Sequence, residues 1–522
     1  MVSMQDDTTV QRRLIPARPT EAGWRQLEVG PGEPLDPSNE QGIDVVRLIH
    51  LSDSHLCDAQ SPARLEFLDR EGDPHVTDDE TVFVGTYRAH EMLSTHTLDA
   101  LIRAAGSLAQ RRKVDAVIVT GDGTDNAQAN ELEWYFTILN GGVVVPDSGL
   151  PAQWEGVGGG EDPYDRSYWH PGGAPPGHEP DFPHLLYGFP TIPGLLDKAR
   201  EAFRAPGLPI PWWSVYGNHD ALLQGTVAPS DALRRRATGI RRPRAMPRGW
   251  DYARVMAEFS PHGPANYPPE SLDADVVSAD ERRAILSREQ WVDRHHDDQW
   301  DHGPHRDSRG IARTWWSTDI NGVLVVALDT VNPHGGWEGS VDDEQLAWLD
   351  ETLGTSTSPL AVLTSHHPPH ALTNLYAPPG TAERRGEADV LAVISRHPQV
   401  GLWLAGHRHR HRVERRTAVE RTFDFWVVET SSTIDWPQQG RLLTLRRSGD
   451  QWTFASEVFD HRGEVSPDSS LTAHTPDDLA GWSRLLALNA WQRRRGPQHS
   501  DLLAGGSRDR NVVLAWNEKH YA

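Results

Sequence analysis

Five short apolar runs, each followed closely by a side chain that can bind a metal ion, constrain the fold of this chain most. Each run is too short for a helix, is rich in β-branched or aromatic residues and is bounded by Gly, Pro or polar residues, which predicts a buried strand. Because sites in open α/β sheets form where strands end, we expect the residues that follow the runs to gather along one sheet edge. The runs cover residues 45–51, 116–120, 212–216, 360–364 and 400–404.

The side chains that follow the runs are aspartate, asparagine and histidine, which are good ligands for hard and borderline metal ions. In two pairs the members are two positions apart, so that both leave the same face of an extended segment and can bind one cation. One such pair alone is a weak signal, since an isolated histidine is more often solvated or hydrogen-bonded than metal-bound. The ordered set, each motif closing an apolar run, indicates a two-metal hydrolase site: Asp53 with His55, Asp122, Asn218 with His219, His366, and His407 with His409.

These motifs resemble those of the calcineurin-like metallophosphoesterase superfamily over residues 43–435. The resemblance implies an α/β fold, a metallophosphoesterase-type sandwich of two mixed β-sheets flanked by helices, with long loop insertions. The gaps between the motifs are longer than in compact members, which leaves the substrate open but not the metal site. The matching stretches are Asp53-Ser54-His55, Gly121-Asp122-Gly123-Thr124-Asp125-Asn126, Gly217-Asn218-His219-Asp220, His366-His367-Pro368-Pro369 and Gly406-His407-Arg408-His409.

The resemblance also implies which residues hold the metal ions. Asp122 would bridge two ions, because a carboxylate can offer one oxygen to each of two cations. The mixed nitrogen and oxygen ligands suit Mn, Fe or Zn, as a divalent or mixed-valence pair, better than Ca or Mg. The first ion would be held by Asp53, His55, Asp122 and His409, and the second by Asp122, Asn218, His366 and His407.

The implied reaction is the hydrolysis of a phosphoester by a metal-bridging hydroxide, since two cations lower the pKa of a shared water and neutralise phosphate charge. His219, beside a ligand, is the expected general acid for the leaving oxygen. Asp125 is expected to orient His219 through a hydrogen bond, with Asp220 as the rival partner. A phosphodiester is the preferred substrate, because the motifs look most like the phosphodiesterase and purple-acid-phosphatase branches. A phosphomonoesterase is the close alternative. A catalytically inactive metal-binding protein is the weaker one, because the ligand set is complete.

Other histidines and one aspartate have simpler interpretations. His367 could replace its neighbour as a ligand, but the H-x-P pattern of the superfamily favours His366. Asp329, which ends a predicted strand, is expected to be a turn or hydrogen-bonding residue. The histidines at 295, 296, 302 and 305 lie in a polar stretch and indicate a solvated insert more than a third metal site.

Charge limits the partners that the chain can bind. The formal net charge of −23 argues against a sequence-independent nucleic-acid binder, which needs a basic surface. Arginine clusters at 234–248 and 408–416 could attract an anionic substrate, or could be solvated faces. Cys57 is the single cysteine, so a disulfide framework is excluded, and we expect it to be a packing residue. The resemblance implies a small phosphoester as the partner, and the oligomeric state is left open.

The sequence also bears on location. No apolar segment approaches the length needed to span a bilayer. Arg12-Arg13 is followed by Leu14-Ile15-Pro16 and not by a hydrophobic export region. We therefore expect a cytoplasmic protein, and the alternative is an exported one whose signal is missing from the sequence.

Stretches rich in Gly, Pro and charged residues predict where the segments of the chain begin and end. Residues 1–42 would form an N-terminal arm, and 43–465 the catalytic domain. Inserts at about 141–190 and 222–313 would interrupt this domain, and the aromatic residues of the first would form a rim that contacts substrate, with disorder as the competing interpretation. Residues 466–522 would form a C-terminal helical extension.

Overall fold

Two six-stranded mixed sheets organise the part of the chain that the computed structural model describes. That part comprises residues 8–36, 42–76, 85–151, 153–160, 163–269, 271, 273–296, 301–417, 424–467, 475–494 and 499–517. In chain order, the strands of the two sheets are β1 (Ile43–Leu51), β2 (Ala116–Val119), β3 (Trp212–Ser214), β4 (Trp316–Ile320), β5 (Val323–Leu328), β6 (Ala361–Ser365), β7 (Val400–Ala405), β8 (Arg412–Thr417), β9 (Asp424–Glu429), β10 (Gln439–Ser448), β11 (Gln451–Asp460) and β12 (Val512–Asn517).

The first sheet has the spatial order β12-β11-β10-β1-β2-β3, and the second has the order β4-β5-β6-β7-β9-β8. Strands β1, β2 and β3 are mutually parallel, and so are β5, β6, β7 and β9. All five predicted strands are confirmed, but the prediction that their ends share one sheet edge is wrong. Three of the runs lie in the first sheet and two in the second, because the two parallel blocks belong to different sheets.

The two sheets share one cluster of buried apolar side chains. Such side chains alternate with those that face the other way, since successive residues of a strand point to opposite faces. On the other face of each sheet, apolar residues pack with helices, as Leu101 and Leu108 do with β1 and β2 in one cluster and Leu349 and Leu353 do with β5 and β6 in another. The shared cluster includes Val46, Leu48 and Ile118 of the first sheet and Val325, Val362 and Leu402 of the second.

Helices connect and cover the strands. Several begin at a residue whose side chain accepts a backbone N–H of the first turn, for example Asp342 and Thr475, which is the usual N-cap role of these residue types. The helices are α1 (Ser94–Arg112), α2 (Ala129–Asn140), α3 (Phe182–Tyr187), α4 (Leu195–Arg200), α5 (Asn218–Ala221), α6 (Asp231–Ala237), α7 (Tyr252–Glu258), α8 (Arg288–His296), α9 (Asp343–Thr355), α10 (Glu387–Ile394), α11 (Pro476–Leu488), α12 (Ser500–Leu503) and α13 (Ser507–Arg510).

Short 3-10 turns and two-stranded ribbons complete the described structure. The turns are Glu66–Gly72, Glu91–Leu93, Glu281–Arg283, Pro369–Ala371 and Trp491–Arg493. The ribbons pair Arg12–Pro16 with Leu27–Pro31, Gly142–Val144 with Phe203–Ala205, Arg241–Pro243 with Ala274–Val276, His305–Arg306 with Ala312–Arg313, and Val341–Asp342 with Arg384–Arg385.

A fourth apolar cluster joins segments that are far apart in the sequence. Trp24 of the N-terminal segment, Tyr168 and Trp169 of the first insert, and Trp482 and Trp491 near the C-terminus are all buried in it. The prediction that the aromatic residues of the first insert contact substrate is therefore wrong for this Tyr–Trp pair. Burying large rings against other rings stabilises the packing of the insert, and it removes them from any substrate.

The C-terminal part differs from a purely helical extension. Helix α11 packs against α1 as expected, but residues 512–517 form β12, an edge strand of the first sheet that pairs with β11. The domain boundaries at 42 and 465 stay a prediction. Within the described residues, no helix has both the length and the apolar composition needed to cross a bilayer.

Candidate metal centre

All seven predicted metal ligands lie just beyond the carboxyl ends of parallel strands, and the structure brings them together from both sheets. Each is buried or nearly so. Asp53 and His55 follow β1, Asp122 follows β2, Asn218 follows β3, His366 follows β6, and His407 and His409 follow β7.

The backbone at the centre is unusual. Five of the seven ligands adopt a positive φ, which costs a non-glycine residue on the order of 1–3 kcal/mol and persists where surrounding structure holds it. Strained backbone of this kind clusters at functional sites. The angles are 51° at Asp53, 43° at His55, 53° at Asp122, 67° at His407 and 52° at His409.

Two glycines allow the ligating carboxylates to lie against neighbouring backbone. A Cβ at Gly406 would overlap Ser52 and the carboxylate of Asp53, and a Cβ at Gly217 would overlap Asp122. The motif glycines are thus required by close packing between strand ends as well as by the turns themselves.

Four ligand atoms converge at the first predicted ion position. His55 Nε2 lies 3.1 Å from His409 Nε2, 3.5 Å from Asp122 Oδ2 and 4.0 Å from Asp53 Oδ1. His409 Nε2 lies 3.3 Å from Asp53 Oδ1. Two imidazole nitrogens and two carboxylate oxygens that face one another in this way form a suitable donor set for a borderline cation.

The second predicted position is built from Asp122, Asn218, His366 and His407. His366 Nε2 lies 3.2 Å from Asp122 Oδ2, and the ring centroids of His366 and His407 are 5.1 Å apart. Asn218 donates its amide to the Gly225 carbonyl at 2.9 Å, which leaves its Oδ1 free to accept. Among the described residues, buried Asn218 Oδ1 and His407 Nε2 find no hydrogen-bond partner. Because buried polar atoms rarely stay unpaired, these two fit a bound cation.

The buried carboxylates and imidazoles of the centre shift one another's pKa values. Burial opposes ionisation of Asp53 and Asp122, but facing imidazoles outweigh it and hold the pKa of both carboxyl groups below the ordinary value. Burial likewise opposes protonation of His366, yet Asp122 raises the pKa of this imidazole to about 9. Burial and the neighbouring His219 lower the pKa of His55 to about 4. The protonated form of His366 is therefore stabilised beside the Asp122 carboxylate, whereas the neutral form of His55 is favoured.

His219 lies beside the centre, with its side chain 17 % exposed. Its main-chain N–H donates to Asp122 Oδ1 at 2.9 Å, and its Nδ1 donates to the main-chain carbonyl of Asp125 at 2.6 Å. The hydrogen bond predicted between His219 and Asp125 is thus present, but it ends on the main-chain carbonyl, because the Asp125 carboxylate is 3.7 Å from Nδ1. The rival partner Asp220 instead accepts the main-chain N–H groups of Thr124 and Gly217, both at 3.0 Å.

The Asp125 carboxylate orients a different histidine. Its Oδ1 is 3.0 Å from His55 Nδ1, and its Oδ2 accepts Arg64 Nη1 at 2.6 Å. The guanidinium and the imidazole hold the carboxylate between them, which leaves only the carbonyl of Asp125 to His219. Asp125 thus lies behind a predicted metal ligand, where a carboxylate fixes the ring orientation and tautomer.

A buried charged layer lies behind the histidines, and sequence reasoning missed most of it. Arg64 also donates to Glu91 Oε2 at 2.7 Å, and Asp435 Oδ2 accepts His409 Nδ1 at 2.5 Å. The paired groups come from distant parts of the chain and follow no motif spacing, so the sequence offers no signal for them. We call this set the charged layer: Arg64, Arg88, Glu91, Asp125, Asp435 and Arg493.

His367, His295 and His302 are not among the predicted ligands, and each has contacts of its own. His367 uses both ring nitrogens, with Thr330 Oγ1 at 2.8 Å and the Trp337 carbonyl at 3.0 Å. The prediction of a solvated histidine insert is wrong for two members. His302 stacks on Trp212 at 3.6 Å and His295 packs against Trp291, so that both are buried.

Asp329 behaves as the sequence predicted. Its Oδ1 accepts the main-chain N–H of Val331 at 2.9 Å, and its Oδ2 pairs with Arg288 at 2.9 Å. The side chain therefore fixes a turn after β5.

The arginines of the 408–416 cluster pair with carboxylates, whereas several of those in the 234–248 cluster bond carboxylates or main-chain carbonyls. Arg408 pairs with Glu338 at 2.7 Å, and Arg415 pairs with Asp424. Arg242 of the other cluster is buried and pairs with Asp275 at 2.5 Å. Of these three, Arg242 is the one whose side chain is buried within the fold.

Comparisons with known proteins identify distant relatives. No protein-family model matches the chain. A stretch of 97 residues is 36% identical to a probable cyclic nucleotide phosphodiesterase of Synechococcus, over 19% of this chain and 36% of that protein. A stretch of 136 residues is 29% identical to a 3',5'-cyclic-nucleotide phosphodiesterase of Nostoc, over 25% of this chain and 50% of that protein. The chain thus matches half or less of the length of these curated relatives, which confirm the resemblance to the metallophosphoesterase superfamily.

Two solved structures show weak likenesses to the chain. The structure of PhoD aligns with a TM-score of 0.32 and 10% identity, over 89% of this chain and 80% of that one. The structure of GAP50 of Plasmodium aligns with a TM-score of 0.27 and 9% identity, over 79% and 84%. Both TM-scores are too low to show a shared fold.

Proposed function

From its resemblance to the calcineurin-like metallophosphoesterases, we propose that this chain is a two-metal phosphoesterase that hydrolyses a phosphodiester. The convergence of seven ligands from five strand ends into one buried centre carries this proposal. We also propose that the two sheets are the layers of the sandwich that the superfamily implies, in agreement with their shared apolar cluster.

The residues of the centre would divide between two ions of Mn, Fe or Zn. When bound, two such ions lower the pKa of a water toward neutrality and neutralise charge on a phosphate. Asp122 would be shared, because its Oδ2 faces both His55 and His366. Asp53, His55 and His409 would complete one set, and Asn218, His366 and His407 the other.

His219 would protonate the leaving oxygen of the substrate. Its Nδ1 is committed to the Asp125 carbonyl, so Nε2 is the ring atom that can carry a proton toward the substrate. The His219 side chain is partly exposed whereas Asp53, His55 and Asp122 are buried, which agrees with a position at the solvent side of the centre. Asp125 would hold His55 and would reach His219 only through its carbonyl.

The substrate class rests on the relatives. Both are named as cyclic nucleotide phosphodiesterases, and a cyclic nucleotide is a small phosphodiester. This agrees with the preference drawn from the motifs. Because the matched stretches are short, the diester is a proposal about this chain and not a property transferred from theirs.

The proposal is tested by turnover of metal-reconstituted protein. We expect faster release of nitrophenol from bis-p-nitrophenyl phosphate than from p-nitrophenyl phosphate, and cleavage of 3',5'-cyclic AMP, with Asp122→Ala as the background control. Turnover of the monoester alone would indicate a phosphomonoesterase. Two bound ions without turnover of any of the three substrates would indicate an inactive metal-binding protein.

A further inference from the structure

The histidine that closes the first ion position is held from behind by a carboxylate. His409 presents Nε2 to Asp53 and His55, while its Nδ1 donates to Asp435 Oδ2 at 2.5 Å. This bond keeps the ring proton on Nδ1 and leaves the lone pair of Nε2 directed at the ion position. The orientation of this ligand therefore depends on how firmly Asp435 is held.

Two arginines hold Asp435, and they come from opposite ends of the chain. Arg88 donates Nε to Oδ1 at 3.0 Å, and Arg493 donates Nη2 to Oδ2 at 2.6 Å. The second bond is the shorter, and it ends on the same oxygen that accepts His409. All three side chains are buried, with 5 % exposure or less for the two arginines and 1 % for Asp435. Charge-assisted bonds of this length between buried groups are strong and directional.

Arg493 belongs to the 3-10 turn Trp491–Arg493, which we call the C-terminal turn. Each of its three side chains donates a hydrogen bond to a buried carboxyl group. Trp491 Nε1 donates to Asp73 Oδ1 at 2.7 Å, and Gln492 Nε2 donates to Asp69 Oδ2 at 2.9 Å. Trp491 also stacks against Tyr187 with an interplanar angle of 5°. The turn is thus fixed in place independently of Asp435, so that it can position Asp435 and need not follow it.

Within the described residues, no hydrogen bond connects the ligands of the second ion position to this turn. His366 donates Nδ1 to the Thr120 carbonyl at 2.8 Å, a backbone group at the end of β2. Asn218 is oriented by the Gly225 carbonyl. These ligands are positioned by loops next to the sheets and are not bonded to the C-terminal turn.

We propose that Arg493 is a positioning residue that acts through Asp435 and His409 to set the affinity of the first ion position and not that of the second. The inference rests on the two-metal site of the proposed function. Loss of a group that orients a ligating histidine typically weakens metal binding by about 10–100-fold. The C-terminal turn would thus be coupled to one half of the centre.

The test measures Mn²⁺ binding to the metal-free full-length protein by calorimetry, with paramagnetic resonance to distinguish coupled from isolated Mn²⁺. We expect Arg493→Met to retain one ion with wild-type affinity, to bind the other about 10–100-fold more weakly and to lose the coupled signal. Asp435→Asn should behave alike. Arg493→Lys keeps the charge but not the planar fork, and we expect a smaller loss.

The matched control is Arg494→Met, because Arg494 directly follows the turn and instead bonds the carbonyls of Ala22 and Tyr187. It should bind both ions as the wild type does. Wild-type affinity for both ions in Arg493→Met, an equal loss of both ions, or the same loss in Arg494→Met would overturn the inference. If Arg493→Met does not fold, Arg493→Lys decides, and unchanged binding there together with unchanged binding in Asp435→Asn would refute it. A wild-type protein that binds fewer than two ions would refute the two-metal proposal itself, a result distinct from these.

Discussion

The metal ligands and the charged layer behind them are both buried, yet they are built from different kinds of sequence. The ligands directly follow strand ends and appear in motif order along the chain. The charged layer pairs side chains that are far apart, such as Asp435 with Arg88, 347 positions away. The chemistry of the centre is therefore encoded locally, whereas the orientation of its ligands is assembled from distant segments.

The largest effect is expected from the residue that both ion positions share. Asp122→Ala removes the oxygen that faces His55 and His366, so both ions should be lost. Hydrolysis should fall by about 1000-fold or more, since metal ions supply several kcal/mol of transition-state stabilisation. Metal content by mass spectrometry and diester turnover measure this. Retention of two ions by the variant would show that the bridge is assigned to the wrong residue.

A smaller loss is expected from the group that carries a proton and holds no ion. His219→Ala should keep both ions and lower kcat by about 100- to 10,000-fold, as for loss of a general acid. Turnover and metal content are measured on the same sample. An equal loss of metal would make His219 a ligand, and full activity would remove it from the reaction.

A substitution in the charged layer is expected to lower the free energy of unfolding. Arg64→Met leaves the Asp125 and Glu91 carboxylates buried without their guanidinium, which should lower the free energy of unfolding by about 3 kcal/mol. We expect the low end of the usual range because Asp125 keeps its bond to His55. Urea unfolding of the metal-free protein measures this, with the 63 % exposed Arg309→Met as control. Equal stability of both variants would mean that the layer contributes little.

The smallest effect is expected outside both regions. Arg415 is 55 % exposed and pairs with Asp424 on the edge of the second sheet. Arg415→Ala should change the free energy of unfolding by less than about 1 kcal/mol, as for surface ion pairs, and leave KM unchanged. A marked rise in KM at low salt would instead support the idea that this cluster attracts the substrate.

The strands and ligands could be predicted because each depends on a few neighbouring residues. An apolar run at 45–51 is sufficient to predict β1 (Ile43–Leu51), and Asp53 follows it directly. The division of the runs between two sheets could not be predicted in this way, because alternation and turn residues say nothing about which strands pair.

The contacts that differ from the prediction, at Asp125 and in the first insert, have a related cause. The sequence placed Asp125 near His219, three residues after a ligand, and the two do lie together. Which atom bonds His219 depends on Arg64, which competes for the carboxylate from another segment. In the same way the sequence predicts a substrate rim for Tyr168 and Trp169, but both are buried in one apolar cluster with Trp482 and Trp491 of the C-terminal segment.

A single centre that holds two metal ions, with Asp122 between them, can be tested by anomalous X-ray scattering from crystals of the Mn²⁺-loaded protein. We expect two peaks about 3.5–4 Å apart, one beside Asp53, His55 and His409 and the other beside Asn218, His366 and His407. A single peak, or two peaks that do not share Asp122, would contradict it.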